Sequence, residues 1–112
     1  MIRSATVLAI LLAASAASAQ TVSPAERQRL AGLGAALGQC HHGVVAREAR
    51  TRLSPAQIAD HAMAACAPRE APIRAALLRQ IGPQRTAAVM QTQRAHWRQA
   101  IGRMVAMARG GR

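Results

Sequence analysis

The stretch from residue 40 to residue 66, CHHGVVAREARTRLSPAQIADHAMAAC, begins and ends with the only two cysteines of the chain. On both sides of Cys40, apolar residues recur at intervals of three and four, which is the spacing of one helix face. These residues are Leu30, Leu33, Leu37, Cys40 and Val44. The pattern fades at Arg50, so the stretch is predicted to be a helical hairpin with its turn at Thr51 to Ser54.

The second helix of this hairpin has a clear start signal. In Leu53-Ser54-Pro55-Ala56-Gln57, serine suits the N-cap, proline the first helical position, and glutamine follows three residues after the serine. The arms from Cys40 to Arg50 and from Pro55 to Cys66 are each roughly 15–17 Å long. Two antiparallel arms of equal length bring the two cysteines side by side.

The first residues have the three parts of a secretion signal. Met1-Ile2-Arg3 is a short basic start, residues 5–14 form an apolar run, and Ala17-Ser18-Ala19 is a small-residue cleavage site. The run is shorter than the roughly 20 residues that span a bilayer. We therefore expect a cleaved signal peptide at 1–19, a periplasmic or secreted protein, and a single small helical domain at 20–112 without a transmembrane segment.

Export bears on the cysteines, because an even cysteine count behind a secretion signal favours pairing. The alternative is two reduced, buried thiols. A disulfide between Cys40 and Cys66 is predicted, and in the chain-entropy model closing a loop of ~26 residues contributes roughly 3.5 kcal/mol. The core of so short a chain is modest, so this bond or a partner subunit, as in a homodimer, would be useful.

The remaining sequence predicts an all-α, three- to four-helix bundle. Val22-Ser23-Pro24-Ala25-Glu26 begins a first helix from Pro24 to Arg50. Glycine destabilises a helix interior, so its glycines are explained either by close approach of another helix or by a kink. These are Gly32, Gly34 and Gly38.

After Cys66, residues 67–72 are predicted to be a linker, followed by a short helix that ends at Gly82-Pro83. Its inner side carries Ile73, Leu77, Leu78 and Ile81. A last helix is predicted over residues 84–108, with an apolar face that is interrupted at Arg94. That face carries Met90, Trp97, Ile101, Met104 and Val105.

The chain is strongly basic: all 15 basic residues are arginine, and with 4 acidic residues the formal net charge is +11 at pH 7. A GC-rich genome accounts for arginine in place of lysine, but it does not account for the charge imbalance, which favours anionic partners. Arginine suits them because its guanidinium binds phosphate or carboxylate in a two-pronged manner. The residues expected to contact an anionic surface are Arg47, Arg50, Arg52, Arg94, Arg98 and Arg103.

Groups that could catalyse a reaction are scarce. The four acids are expected on helical surfaces or in the linker and form no evident pair, and no nucleophile motif or CxxC redox motif is present. We therefore expect a protein that is not an enzyme and has no cofactor.

Histidines and methionines raise the question of a metal site. His42 and His61 are the candidate ligands, but we expect no metal site. Adjacent histidines on a helix point about 100° apart, so His41 and His42 cannot both face the second helix, and a disulfide removes the thiolate ligands of a tight site. His41 and His42 are instead predicted to flank the disulfide, half exposed. Met90, Met104 and Met107 are candidate copper(I) ligands, but a methionine stripe at helical spacing is usually part of a core, and a core role is predicted. Trp97 is predicted to fill the core, the alternative being an exposed anchor.

The two serine-proline motifs at Ser23 and Ser54 resemble the LTxxQ motif of periplasmic stress chaperones and metal-stress proteins of the Spy and CpxP type. Serine replaces threonine in both copies, and the first has Val22 and Glu26 in place of leucine and glutamine. The resemblance implies chaperone activity, which is the alternative hypothesis.

The leading hypothesis is a non-enzymatic periplasmic protein that contacts anionic envelope components, such as phospholipid head groups or lipopolysaccharide phosphates, or an acidic protein. Nucleic acid is not expected as a partner, because the predicted compartment lacks it and the chain has no Phe or Tyr on which bases stack.

Overall fold

The computed structural model describes residues 22–110, so the predicted signal peptide lies outside the described range. Three helices follow in order: α1 (Pro24–Glu48), α2 (Pro55–Ala65) and α3 (Ala67–Ala108). Residues 22–110 contain no strand, and the prediction of a small all-α bundle is confirmed. No helix in this range is both long enough and apolar enough to cross a bilayer.

Helix α3 reverses direction at Gly82, where φ is 79° and ψ is 172°. Arg94 and Glu70 are 24 residues apart, yet Nη1 of the first lies 2.6 Å from Oε1 of the second. In a straight helix these residues would be about 36 Å apart. The first arm (residues 67–81) and the second arm (residues 83–108) therefore lie antiparallel. Glycine permits this positive φ, and the predicted stop at Gly82-Pro83 is confirmed.

Helices α1 and α2 form the predicted antiparallel hairpin. Cys40 and Cys66 are disulfide-bonded with their Cα atoms 5.9 Å apart, as the equal arms required. Ser54 accepts a hydrogen bond from the Gln57 backbone N–H at 3.1 Å, while the Gln57 side chain accepts one from the Ser54 N–H at 2.8 Å. This reciprocal capping box begins α2 where the sequence predicted.

The predicted linker at residues 67–72 is wrong, because this segment is helical. Pro68 lies in the first turn of α3, where a backbone N–H has no intrahelical partner, so proline does not disturb the helix there. Only Cys66, with φ −96° and ψ 4°, separates α2 from α3. Helix α2 and the first arm thus follow one another along the bundle, and the disulfide ties their junction to α1.

The core lies between α1, the second arm, and the column formed by α2 and the first arm. Ile58, Ile101 and Val105 are fully buried, and Leu37 is nearly so. On the first arm Ala76 is buried, whereas Leu78 is 43% exposed. The prediction that Leu78 faces inward is therefore wrong, since a small residue one helical turn after Ile73 takes the inner position.

The glycines of α1 have neither of the predicted explanations. Helix α1 is continuous from Pro24 to Glu48, so there is no break at these positions. A Cβ atom added at Gly32, Gly34 or Gly38 would meet nothing within 4 Å, so no helix approaches closely there either. A side chain at each of the three positions would therefore find open space.

Candidate functional site

Each carboxylate of the described residues has a basic partner. The distances are 3.8 Å for Glu26 and Arg79, 2.9 Å for Glu48 and His61, 2.6 Å for Asp60 and Arg98, and 2.6 Å for Glu70 and Arg94. Each described carboxylate therefore lies next to a basic side chain of the same chain, which for Glu48 is a histidine that is charged only when protonated. The other arginines of residues 22–110 have no carboxylate within ion-pair distance.

Three of these arginines lie together at the turn between α1 and α2. Arg47 is in the last turn of α1, and Arg50 and Arg52 are in the connection itself. All three side chains are exposed. We refer to these three residues as the basic turn, and it forms one end of the bundle.

Arg109, at the end of the second arm, fixes the backbone of this turn. Its Nε donates to the carbonyl of Ala49 at 3.0 Å, and its Nη2 donates to those of Thr51 at 3.1 Å and Leu53 at 2.6 Å. A positive side chain also suits the C-terminus of α1, where free carbonyls carry partial negative charge. The role of Arg109 could not be predicted from the sequence, because these contacts join residues 56 to 60 positions apart.

The other arginines predicted to contact an anionic surface lie on the second arm. Arg94 and Arg98 form the ion pairs with Glu70 and Asp60. Arg103 is exposed and has no such pair among the described residues. The structure therefore brings together three of the six predicted residues, and engages two others with carboxylates of the same chain.

A buried polar cluster lies close to the disulfide. Glu70 is 1% exposed, contrary to the prediction that every acid lies on a surface or in a linker. One of its oxygens accepts the bond from Arg94, and the other, Oε2, has no hydrogen-bond partner in the described part of the chain. The burial follows from the helical conformation of residues 67–72, which turns this side chain inward.

His41 lies in the same interior. It is 2% exposed, and its ring centroid lies 6.3 Å from that of Trp97. Burial lowers the pKa of His41, an effect that the Glu70 charge opposes and His42 reinforces. The ring is therefore neutral at pH 7. The prediction of two half-exposed histidines is wrong, since successive helical residues point in different directions and only His42 is exposed.

The structure assigns separate surroundings to the two candidate metal ligands. His61 Nδ1 lies 2.9 and 3.0 Å from the Glu48 carboxylate oxygens, whereas His42 lines a concavity with Met104 and Met107. Residues 22–110 contain no group of three or more His, Cys, Asp or Glu side chains placed to hold a metal.

The predicted core residues on the second arm are buried to different degrees. Met90 is 4% exposed and belongs to the core, whereas Met107 is 77% exposed and does not. Trp97 is only partly buried and packs against the edge of the core. The core explanation therefore holds for Met90, fails for Met107, and holds in part for Trp97.

No protein-family model, curated protein or solved structure matches this chain. The local role of the two serine-proline motifs is nevertheless clear. Ser23 accepts a hydrogen bond from the Glu26 N–H at 3.1 Å, as Ser54 does from Gln57. Both motifs therefore cap helices.

Proposed function

We propose that this is an exported, non-enzymatic protein of the periplasm that binds anionic envelope components through the basic turn. The observation that carries the proposal is the pairing of every described carboxylate within the chain. This pairing leaves the exposed guanidinium groups of Arg47, Arg50 and Arg52 without internal counter-charges. They are thus available to phosphate oxygens of phospholipid or lipopolysaccharide head groups.

The hydrogen bonds of Arg109 add to this availability. They hold the turn backbone in one conformation, so binding orders only the arginine side chains and not the loop that carries them. A basic residue near an anionic membrane contributes about 1 kcal/mol, and three together contribute about 3 kcal/mol. Attraction of this kind weakens as salt shortens the screening length.

The test compares two triple variants that lose the same charge. Arg47→Gln/Arg50→Gln/Arg52→Gln removes the basic turn, and Arg69→Gln/Arg74→Gln/Arg85→Gln removes three exposed arginines from α3. On phosphatidylglycerol vesicles at low salt, the first variant is expected to bind about a hundredfold more weakly than the unaltered protein. The second is expected to lose less than about tenfold, since the general field of the molecule also contributes.

Two results would contradict the proposal. Equal losses of affinity in the two variants would show that binding depends on the net charge of the protein and not on the basic turn. Equal binding of the unaltered protein to phosphatidylcholine and phosphatidylglycerol vesicles, unaffected by salt, would exclude an electrostatic contact altogether.

The second candidate function is the chaperone activity that the LTxxQ resemblance implies. It is favoured by an apolar concavity next to the basic turn, lined by Val45, Met104 and Met107 among others. Methionine is flexible and polarisable, which suits a surface that accepts varied apolar segments. Suppression of the aggregation of a client protein diluted from urea without reductant, at near-equimolar ratio, and its loss in Met104→Ser/Met107→Ser, would support this function. Unchanged aggregation of the client would exclude it.

A further inference from the structure

A groove of about 390 Å³ lies between α1 and the two arms of α3. Apolar side chains provide most of its wall, and they come from all three segments. They are Leu30, Ile73, Leu77, Val89 and Trp97. Along α1 the groove reaches Gly34, which is about 21 Å from the end of that helix at Glu48. It is therefore a separate feature from the basic turn.

The polar groups of the groove are few. Arg27 and Gln93 are the polar side chains that line it, and no acidic side chain does so. Arg27 is exposed and has no carboxylate within ion-pair distance among residues 22–110. The groove thus combines an apolar wall with one positive charge that lacks an internal partner.

The space in the groove depends on a residue without a side chain. Gly34 lines it, and a Cβ atom at this position would meet nothing within 4 Å. The groove is therefore open above the backbone of α1. Its volume lies within the range typical of small-molecule sites, near the lower limit.

We propose that this groove binds a single fatty-acid anion, with the acyl chain against Trp97 and the carboxylate on Arg27. An acyl chain needs no hydrogen bonds, whereas a peptide strand would bury backbone N–H and C=O groups for which Gln93 is the one uncharged polar partner. The guanidinium favours a carboxylate head group over a neutral or cationic one. The inference does not depend on the function of the basic turn.

Trp97 provides a direct measurement, because it is the sole aromatic residue of the chain and lines the groove. Titration with dodecanoate below its critical micelle concentration is expected to change the tryptophan emission saturably. Dodecyltrimethylammonium, which has the same chain length and the opposite charge, is expected to leave the emission unchanged. A linear, non-saturating response to dodecanoate, or equal responses to the two amphiphiles, would overturn the proposal.

Two glycine variants locate the site. Gly34→Leu places a side chain in the groove, whereas position 32 is about 200° around the helix from position 34, so Gly32→Leu points away. Neither side chain meets an obstacle at its Cβ, and both replace glycine with a strong helix former. Both variants are therefore expected to melt at temperatures no lower than that of the unaltered protein.

Gly34→Leu is expected to weaken dodecanoate binding at least tenfold, and Gly32→Leu to leave it unchanged. Arg27→Gln is expected to weaken dodecanoate about tenfold and to leave the affinity for dodecanol unchanged. The basic-turn triple variant is expected to bind dodecanoate normally, which separates this site from the proposed membrane contact. Equal affinities of the two glycine variants for dodecanoate would overturn the proposal.

Discussion

The Glu70 carboxylate is the most deeply buried charge in the described part of the molecule, and Arg94 is its sole hydrogen-bond partner there. Removing one partner of a buried ion pair leaves a charge without compensation, which is strongly destabilising. The Arg94 side chain is 43% exposed, so in a variant without this side chain water can partly take its place beside Glu70. The expected effect therefore lies at the lower end of the range for buried pairs.

Arg94→Gln is accordingly expected to lower the free energy of unfolding by about 3 kcal/mol, measured by urea denaturation. The matched control is Arg98→Gln, whose ion pair with Asp60 has side-chain exposures of 44% and 63%. It is expected to cost less than about 1 kcal/mol. The double variant Glu70→Leu/Arg94→Leu is expected to recover most of the loss, because no unpaired charge remains buried. Similar losses for Arg94→Gln and Arg98→Gln would show that the burial of Glu70 has no energetic consequence.

At this scale the sequence indicated that Arg94 interrupts an apolar face, but not what it binds. Its partner lies 24 residues away, in a segment whose two prolines favoured a linker. The burial of His41 rather than His42, in contrast, could have been predicted from the sequence. His41 lies four residues after Leu37 and three before Val44, on the apolar face of α1, whereas His42 points about 100° away.

Among the elements, the turn between α1 and α2 depends most on a distant residue. Its three carbonyl bonds come from Arg109, which connects the end of α3 to the end of α1. Hydrogen bonds that involve a charged group are individually worth about 1.5–3 kcal/mol, and exposure to solvent reduces that contribution. The turn should therefore be less stable without this side chain.

Arg109→Ala is expected to lower the free energy of unfolding by about 1–2 kcal/mol and to increase amide hydrogen exchange around the turn. Arg103→Ala removes an equal charge from the same helix without any of these bonds, and is expected to change stability by less than about 0.5 kcal/mol. Unchanged exchange in the Arg109 variant would mean that the turn holds its conformation independently.

Helix starts could be predicted because their signals are local. Pro24 and Pro55 begin α1 and α2 as the serine caps indicated. At residues 67–72 the two prolines suggested a linker, and the structure has a helix. Pro68 could not be assigned from the sequence, because a proline in the first turn of a helix and a proline in a linker obey the same backbone restriction.

For the molecule as a whole, the disulfide holds three elements at one point. Cys66 separates α2 from α3, and Cys40 lies within α1. Cys40→Ser is expected to lower the free energy of unfolding by about 3.5 kcal/mol from loop-closure entropy alone, within a range of about 2–5 kcal/mol. Since domains of this size are marginally stable, that is a large fraction of the total.

Urea denaturation of the unaltered protein with and without reductant measures the same quantity without a substitution. The Cys40→Ser variant should match the reduced protein and be insensitive to reductant itself. Equal stability of the oxidised and reduced proteins would mean that the bond constrains the unfolded chain far less than its 26-residue separation requires.

The hairpin and its disulfide could be predicted, because two local patterns and an arm length determined them. The groove and the basic turn's connection to Arg109 could not, because both depend on where the second arm of α3 lies against α1. That arrangement results from packing between residues far apart in the chain, such as Val105 and the apolar face that contains Val44.

The reversal at Gly82 also determines the order in which the chain can fold. The two arms of α3 make contacts between residues that are close in sequence, such as Glu70 and Arg94, which are 24 positions apart. Docking of α1 on the second arm joins residues much farther apart in sequence, such as Ala49 and Arg109, which are separated by 60 positions. Shorter loops close at lower entropic cost, and local contacts form faster. The α1–α2 hairpin, in which Glu48 and His61 are 13 positions apart, and the α3 hairpin are therefore both expected to form before α1 docks on the second arm.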